Sequence, residues 1–507
     1  MLDGQQRLTS LLYALVAPDL SLKDSTRPRR FFLDLGLVLE DPDNDEIVFE
    51  RTKKELDGLD RREVQYAKRM LPCADMLTSE RFHEWRDGLE DWLAENEPQN
   101  LALFRSEWRK KWTRAVAQAL DFEVPLVELP QVDESNDDSI GRICAIFEKL
   151  NSTGVELSVY DLLTARLYRS RIRLHDLWDQ TCQEYKRLAE WSDGKADVNK
   201  FGVLVLRTLA LLRGLDPKAR ILINLDPEGF EEDWRRAARA IERALELVEH
   251  VSSDGFGVFD RKWLPGFGLV PVLAALRAEI EHLGLGEGPR SDLRHWYWCN
   301  VFLERYSSAV ESKSRKDYAE MLAHWTDGKP EPAVFNEART RIGADGFSVR
   351  DSASYAAAIY SGVFCLLALR GARDWRRGES IQLQDLQDHH IFPQAFLRRH
   401  GQAKKTRLNS IVNRTLISDE TNNKIKDKAP AEYLGNKDVF PGGPSEALLD
   451  PHFLTSGAVQ MMRAVGEDIS NESMEYFYEA FLAARESAIV DEIRRACGIS
   501  GGNDKTE

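Results

Sequence analysis

At 507 residues the chain is longer than one hydrophobic core sustains, so two or more domains are expected. The composition (43% hydrophobic, 30% charged, mean hydropathy −0.43) is that of a water-soluble globular protein, with no apolar run near the roughly 18 residues of a membrane span. A net charge of −15 disfavours a protein that coats nucleic acid indiscriminately.

The opening Met1-Leu2-Asp3-Gly4 lacks the basic and apolar stretches of a secretory leader. The cysteines (Cys73, Cys144, Cys182, Cys299, Cys365 and Cys497) are scattered without a Cys-x-x-Cys pair. That spacing excludes a cysteine-rich zinc site and fits reduced thiols in a cytoplasm.

In chain order, residues 7–15 read as a short helix, and 30–35 and 46–49 as strands. A charged helical stretch follows from about 60 to 120, in which Trp85, Trp92, Trp108 and Trp112 read as core anchors. Residues 124–129 read as a strand, 133–138 as an acidic loop, and a helix enters at Ser139. That helix ends near Asn151, Gly154 supplies a positive-φ turn, and Ser158 caps a new helix. From about 140 to 370 the pattern is helical: Trp234, Ala238, Ile241, Leu245 and Val248 form a continuous stripe. Residues 371–379 read as a hinge into a last domain, 441–444 as a loop, and the tail from Ser500 as disordered.

Two segments carry chemistry. The first is Asp388-His389-His390-Ile391-Phe392-Pro393, followed by Asn413-Arg414-Thr415 and then Thr421-Asn422-Asn423-Lys424. Phosphodiester hydrolysis needs a base to activate water, a divalent cation to neutralise charge, and groups that hold both in register. Adjacent histidines on an extended strand point to opposite faces unless a turn or bulge rotates them. From Asp388 to Lys428, nine Lys/Arg face four Asp/Glu, so this segment is +5 within an acidic chain. A phosphate backbone or a solvated surface accounts equally well for that charge.

The second segment is Asp3-Gly4-Gln5-Gln6-Arg7, a tight turn opening a helix. A helix N-terminus beside an Arg fork suits a phosphate, as a capped surface helix also would.

The C-terminal residues resemble the HNH (ββα-metal) nucleases. Carried over position by position, the resemblance implies His390 as general base, Asn413 as the Asn bracing the hairpin of the catalytic centre, and Asn422 as a metal ligand. Relatives place Asp where His389 stands, which leaves the strand ligand open between His389 and Asp388, and Asn423 stands in reserve for Asn422. Asp3-Gly4-Gln5-Gln6-Arg7 resembles the signature of prokaryotic defence proteins with a ParB-like N-terminal domain, including GmrSD-type (Type IV) restriction endonucleases. The stretch 146–158 (Ile-Phe-Glu-Lys-Leu-Asn-Ser-Thr-Gly-Val-Glu-Leu-Ser) fits a second motif of that family. This resemblance implies nucleoside triphosphate binding by Asp3, Gly4, Gln5, Gln6 and Arg7, with Asn151 in support. Relatives carry a strand before this motif, so the domain reads as incomplete at its start.

The expected architecture is α+β and multidomain. It comprises a ParB-like nucleotide-binding domain (1–170), a mainly helical middle (171–370) and a ββα-metal HNH domain (371–500). The implied activity is nucleotide-dependent cleavage of foreign or modified DNA with Mg²⁺ or Mn²⁺, in the cytoplasm, with a homodimer as the simplest route to a double-strand break. Two other readings stand beside it: a non-catalytic nucleotide-binding regulator with a degenerate HNH end, and an RNA-directed or toxin-like nuclease.

Overall fold

The computed structural model describes residues 4–20, 28–40, 47–52, 55–123, 158–193, 198–252, 254–354 and 357–499. The chain is α+β and mostly helical, and it divides into two compact units, Met1–Glu156 and Leu157–Glu507.

In the first unit, helix α1 (Gly4–Val16) is followed by strand β1 (Arg29–Asp34), helix α2 (Leu35–Glu40) and strand β2 (Val48–Thr52). Helix α3 (Arg62–Lys68), strand β3 (Met70–Pro72), α4 (Ser79–Asn96), α5 (Pro98–Leu103) and α6 (Arg109–Leu120) follow among the described residues. β1 is the centre of an antiparallel sheet of order β2-β1-β3. Three-residue β3 falls inside the stretch the sequence pattern gives as helical. Arg69, left-handed at φ 56°, ends α3 and turns the chain into it. Trp85 and Trp112 anchor the core, as expected, with indole N–H groups bonded to Gln65 Oε1 (3.0 Å) and the Leu35 carbonyl (2.8 Å). Trp92 and Trp108 pack against it.

The expected strand at 124–129, the acidic loop and the 146–157 motif lie outside the described residues. So do Asp3, Asn151 and the tail from Ser500.

The second unit opens with α7 (Val159–Tyr168), which Ser158 and Asp161 close with a reciprocal capping box. It continues through α8 (Val198–Leu212), α9 (Phe230–Glu249), α10 (Leu269–His282), α11 (Glu287–Phe302), α12 (Val310–Asp327) and α13 (Ala358–Leu369). The stripe on α9 is fully buried from Trp234 to Val248. Strand β4 (Gln387–His390), α14 (Gln394–Arg399), β5 (Arg414–Ile417), α15 (Asp419–Ile425) and the long α16 (Asn471–Ala496) follow.

One cluster of buried side chains runs from Tyr160 to Cys497, and no gap in it falls at the 370/371 boundary that the sequence suggests. The stretch 371–379, read as a hinge, is a packed turn. Asp374 is fully buried, and its carboxylate accepts from the backbone N–H of Arg377 (2.9 Å) and Ser418 (2.7 Å) and from the Thr421 hydroxyl (2.7 Å). Trp375 stacks on Tyr433 and Phe440. With the Arg376 N–H (3.2 Å) the carboxylate has four donors, and such a buried carboxylate together with an indole in the core does not permit a hinge.

Candidate functional site

β4 and β5 pair one residue to one, Gln387 opposite Ile417 through His390 opposite Arg414, and the Ile391 N–H extends the ladder to the Asn413 carbonyl (2.9 Å). With no bulge, the pleat sends Asp388 and His390 to one face and Gln387 and His389 to the other. The sequence expectation of opposite faces therefore holds for the two histidines.

The His390 face is densely bonded. Pro393 caps α14 and brings Gln394 back onto the histidine. His390 Nε2 lies 3.1 Å from Asn409 Oδ1 and from Gln394 Nε2, and Gln394 also donates to Asn409 (2.6 Å). Arg414 Nη1 sits 2.7 Å from His390 Nδ1. The same Nη1 lies 2.6 Å from His390 Nε2, and since a guanidinium only donates, the ring is neutral and offers it an unprotonated nitrogen. Burial, and then the Arg414 charge, push the His390 pKa down to about 4.

Arg414 is itself held by Asp388 through Nη2–Oδ2 (2.6 Å), and the Tyr360 hydroxyl from α13 bonds both partners. Asp388 Oδ2 thus takes both hydrogen bonds, Oδ1 lies against the Arg414 guanidinium without one, and the carboxylate is almost wholly buried. Of the two strand candidates, Asp388 is engaged by Arg414 and Tyr360, and His389 is not.

Asn413 clamps the loop after His390. Its Oδ1 accepts from the Phe392 N–H (2.8 Å), and its Nδ2 donates to the carbonyls of Phe392 (3.1 Å) and Leu408 (3.3 Å). Fully buried, it positions β4 against β5 and faces no solvent. Behind β5, the buried Arg485 of α16 donates to the carbonyls of Ile411 (3.2 Å), Val412 (2.5 Å), Arg414 (2.7 Å) and His452 (3.1 Å). Burial lowers its pKa to about 9.

The His389 face is different. His389 Nε2 is buried without a hydrogen bond, and its nearest charged neighbour is Asp419 Oδ1 at 3.1 Å, in an unaligned contact. Burial, opposed by the Asp419 and Asp388 charges, lowers the His389 pKa and keeps the ring neutral. Asp419 opens α15, a helix that Ser418 caps and Asp374 anchors. Half-buried Asn422 lies three residues on, on the same side of the helix, whereas Asn423 is exposed. Among the described residues no three His, Cys, Asp or Glu converge into a metal-holding group. A pair completed by an amide and waters still suits Mg²⁺, which keeps several waters and takes few protein ligands.

Of the nine basic residues from 388 to 428, Arg399, Arg407 and Arg414 are ion-paired. Arg398, Lys404, Lys405, Lys424 and Lys426 stand exposed without a carboxylate partner among the described residues. In the N-terminal motif, Gly4, Gln5, Gln6 and Arg7 form the first turns of α1; their side chains lie outside what the structure describes.

Sequence reasoning gave no role in the site to Tyr360, Gln394, Asn409, Arg414 or Asp419. Gln394 and Asp419 had a local signal, four residues after His390 and three before Asn422; Tyr360 had none.

The family model described as GmrSD restriction endonuclease, N-terminal domain, matches residues 1–168. The match covers the stretch that holds the Asp-Gly-Gln-Gln-Arg motif and ends as α7 ends. Over nearly the whole length, the chain is similar to an uncharacterized protein of Methanocaldococcus jannaschii, 29% identical across 97% of this chain and 84% of the relative. No helix among the described residues is long and apolar enough to cross a membrane.

Proposed function

We propose that this protein is a restriction-type endonuclease that cleaves foreign or modified DNA in the cytoplasm, using a divalent cation and licensed by a nucleoside triphosphate. The observation that carries the reading is the β4–β5 ribbon followed by α15, which bears His389, His390, Asn413 and Asn422 in the order and spacing of an HNH centre. The match of residues 1–168 to a restriction endonuclease domain supports the same class.

His390 is the proposed general base. Its neutral ring can accept a proton once a water replaces Arg414 at a ring nitrogen, and Gln394 and Asn409 hold its plane. Displaced from the imidazole, the Arg414 guanidinium stays beside the reacting phosphate, anchored by Asp388. Asn413 keeps the loop after His390 fixed to β5. A bound Mg²⁺ or Mn²⁺ supplies charge neutralisation at the phosphate and the leaving oxygen, with His389 and Asn422 as its holders. The exposed lysines at 404, 405, 424 and 426 offer a landing surface for the backbone. Asp3 to Arg7 and Asn151 are the proposed triphosphate contacts, and a homodimer would pair two single-strand cuts.

A second reading, a nucleotide-binding regulator with a silent HNH end, draws on the engagement of both His390 nitrogens and on the two-sided placement of the histidines. Plasmid nicking with Mg²⁺ or Mn²⁺, with and without triphosphate, separates the two. Nicking by the wild type that His390→Ala abolishes supports the enzyme, and a wild type silent under all conditions favours the regulator. Cleavage of RNA in preference to DNA would change the substrate and leave the centre as described.

A further inference from the structure

A metal centre on the His389 face needs negative charge, and the strand does not provide it. Neutral His389 contributes a nitrogen donor, and Asp388 beside it turns to the other face, where Arg414 and Tyr360 hold it. Three of the four acids between 388 and 428 are paired with arginine: Asp388 with Arg414, Glu420 with Arg376 and Arg377, and Asp427 with Arg399. Asp419 is the exception. Its charged neighbour is His389, its other oxygen meets only the Gln387 amide at 3.4 Å, and about two-thirds of the side chain is exposed.

A buried imidazole nitrogen with no hydrogen bond, 3.1 Å from a carboxylate oxygen in an unaligned contact, is an arrangement a cation between them would satisfy. The anchoring reinforces this. Asp374 fixes the Ser418 cap, so the first turn of α15 is held rigidly beside β4, and Asp419 is the first residue of that turn.

We propose that Asp419 is a ligand of the divalent cation, supplying from the helix the carboxylate that the strand lacks, together with His389 and Asn422. The inference rests on the nuclease reading and adds a residue to it.

The test is Mn²⁺ binding to the full-length protein, by electron paramagnetic resonance of the free ion, for wild type, Asp419→Asn, Asp419→Glu and Glu420→Gln. Circular dichroism melting controls for the fold. The expected result is an Asp419→Asn dissociation constant raised at least about tenfold. Asp419→Glu should recover part of the loss, and Glu420→Gln should bind as the wild type does. Wild-type affinity in a folded Asp419→Asn overturns the Asp419 assignment while leaving the nuclease reading in place. A wild type that binds no Mn²⁺ while still nicking DNA overturns the assignment by showing that cleavage needs no such ion. A wild type that neither binds nor nicks overturns both.

Discussion

The two faces of β4 differ in how far their polar groups are satisfied. On one, Asp388, His390, Arg414, Tyr360, Gln394 and Asn409 form a network in which the carboxylate and the guanidinium pair with each other and only Asp388 Oδ1 lacks a hydrogen bond. On the other, His389 is buried with an unbonded nitrogen beside an exposed carboxylate. A closed network fixes a side chain's position and protonation state, and an open pair leaves room for a ligand. The proposed division gives proton transfer to His390 and ion binding to His389; because the regular β4–β5 pairing keeps the two rings on opposite faces, their action on one phosphate requires the strand end at His390 to turn.

The largest expected effect is on the closed face. His390→Ala should lower nicking by about 10²–10⁴-fold, the usual contribution of a positioned base, measured by supercoiled-plasmid conversion. Retained nicking would move the base elsewhere. Next, Asp388→Asn leaves the buried Arg414 without its counter-charge and should cost about 3–5 kcal/mol of stability by chemical denaturation. An unchanged stability together with weakened Mn²⁺ binding would return Asp388 to the metal site.

Smaller, and shared by both faces, is the pH dependence. His389 titrates below its ordinary value, His390 near 4 and the buried His452 near 3, so the unfolded chain binds more protons than the folded one below about pH 6.5. The stability these residues contribute is present above that pH and drains away as the pH falls through about 4 and 3. Urea midpoints at pH 7.5, 5 and 4 should decline in that order, and a flat series would contradict the neutral-histidine network. Smallest is the surface effect: Lys404→Ala with Lys405→Ala should reduce the salt slope of DNA binding by about 1–2 without altering nicking at saturation.

The sequence made legible what periodicity and short spacing carry. The α9 stripe, the Ser158 cap, the tryptophan anchors and the opposite-facing histidines all follow from residues a few positions apart. Asn413 was named from the resemblance alone, and the structure shows it clamping the loop after His390. The hinge misreading at 371–379 has a physical cause. Gly371 and Gly378 look like punctuation, while the groups that lock the turn, Ser418 and Thr421, lie more than forty residues on. Tyr360 and Arg485 were invisible for the same reason. Each acts across tens of residues, and nothing near Arg485 in the sequence marks a guanidinium buried against four backbone carbonyls. The triphosphate residues rest on resemblance, since Asp3, Asn151 and the side chains of Gly4 to Arg7 lie outside the described residues.

The most direct test of the two-faced centre is to measure Mn²⁺ affinity and plasmid nicking side by side for His389→Ala and His390→Ala. The account predicts that His390→Ala keeps wild-type Mn²⁺ affinity while losing nicking, and that His389→Ala loses both. Equal loss of Mn²⁺ affinity in the two variants would contradict it, because the ion would then depend on both faces of the strand alike.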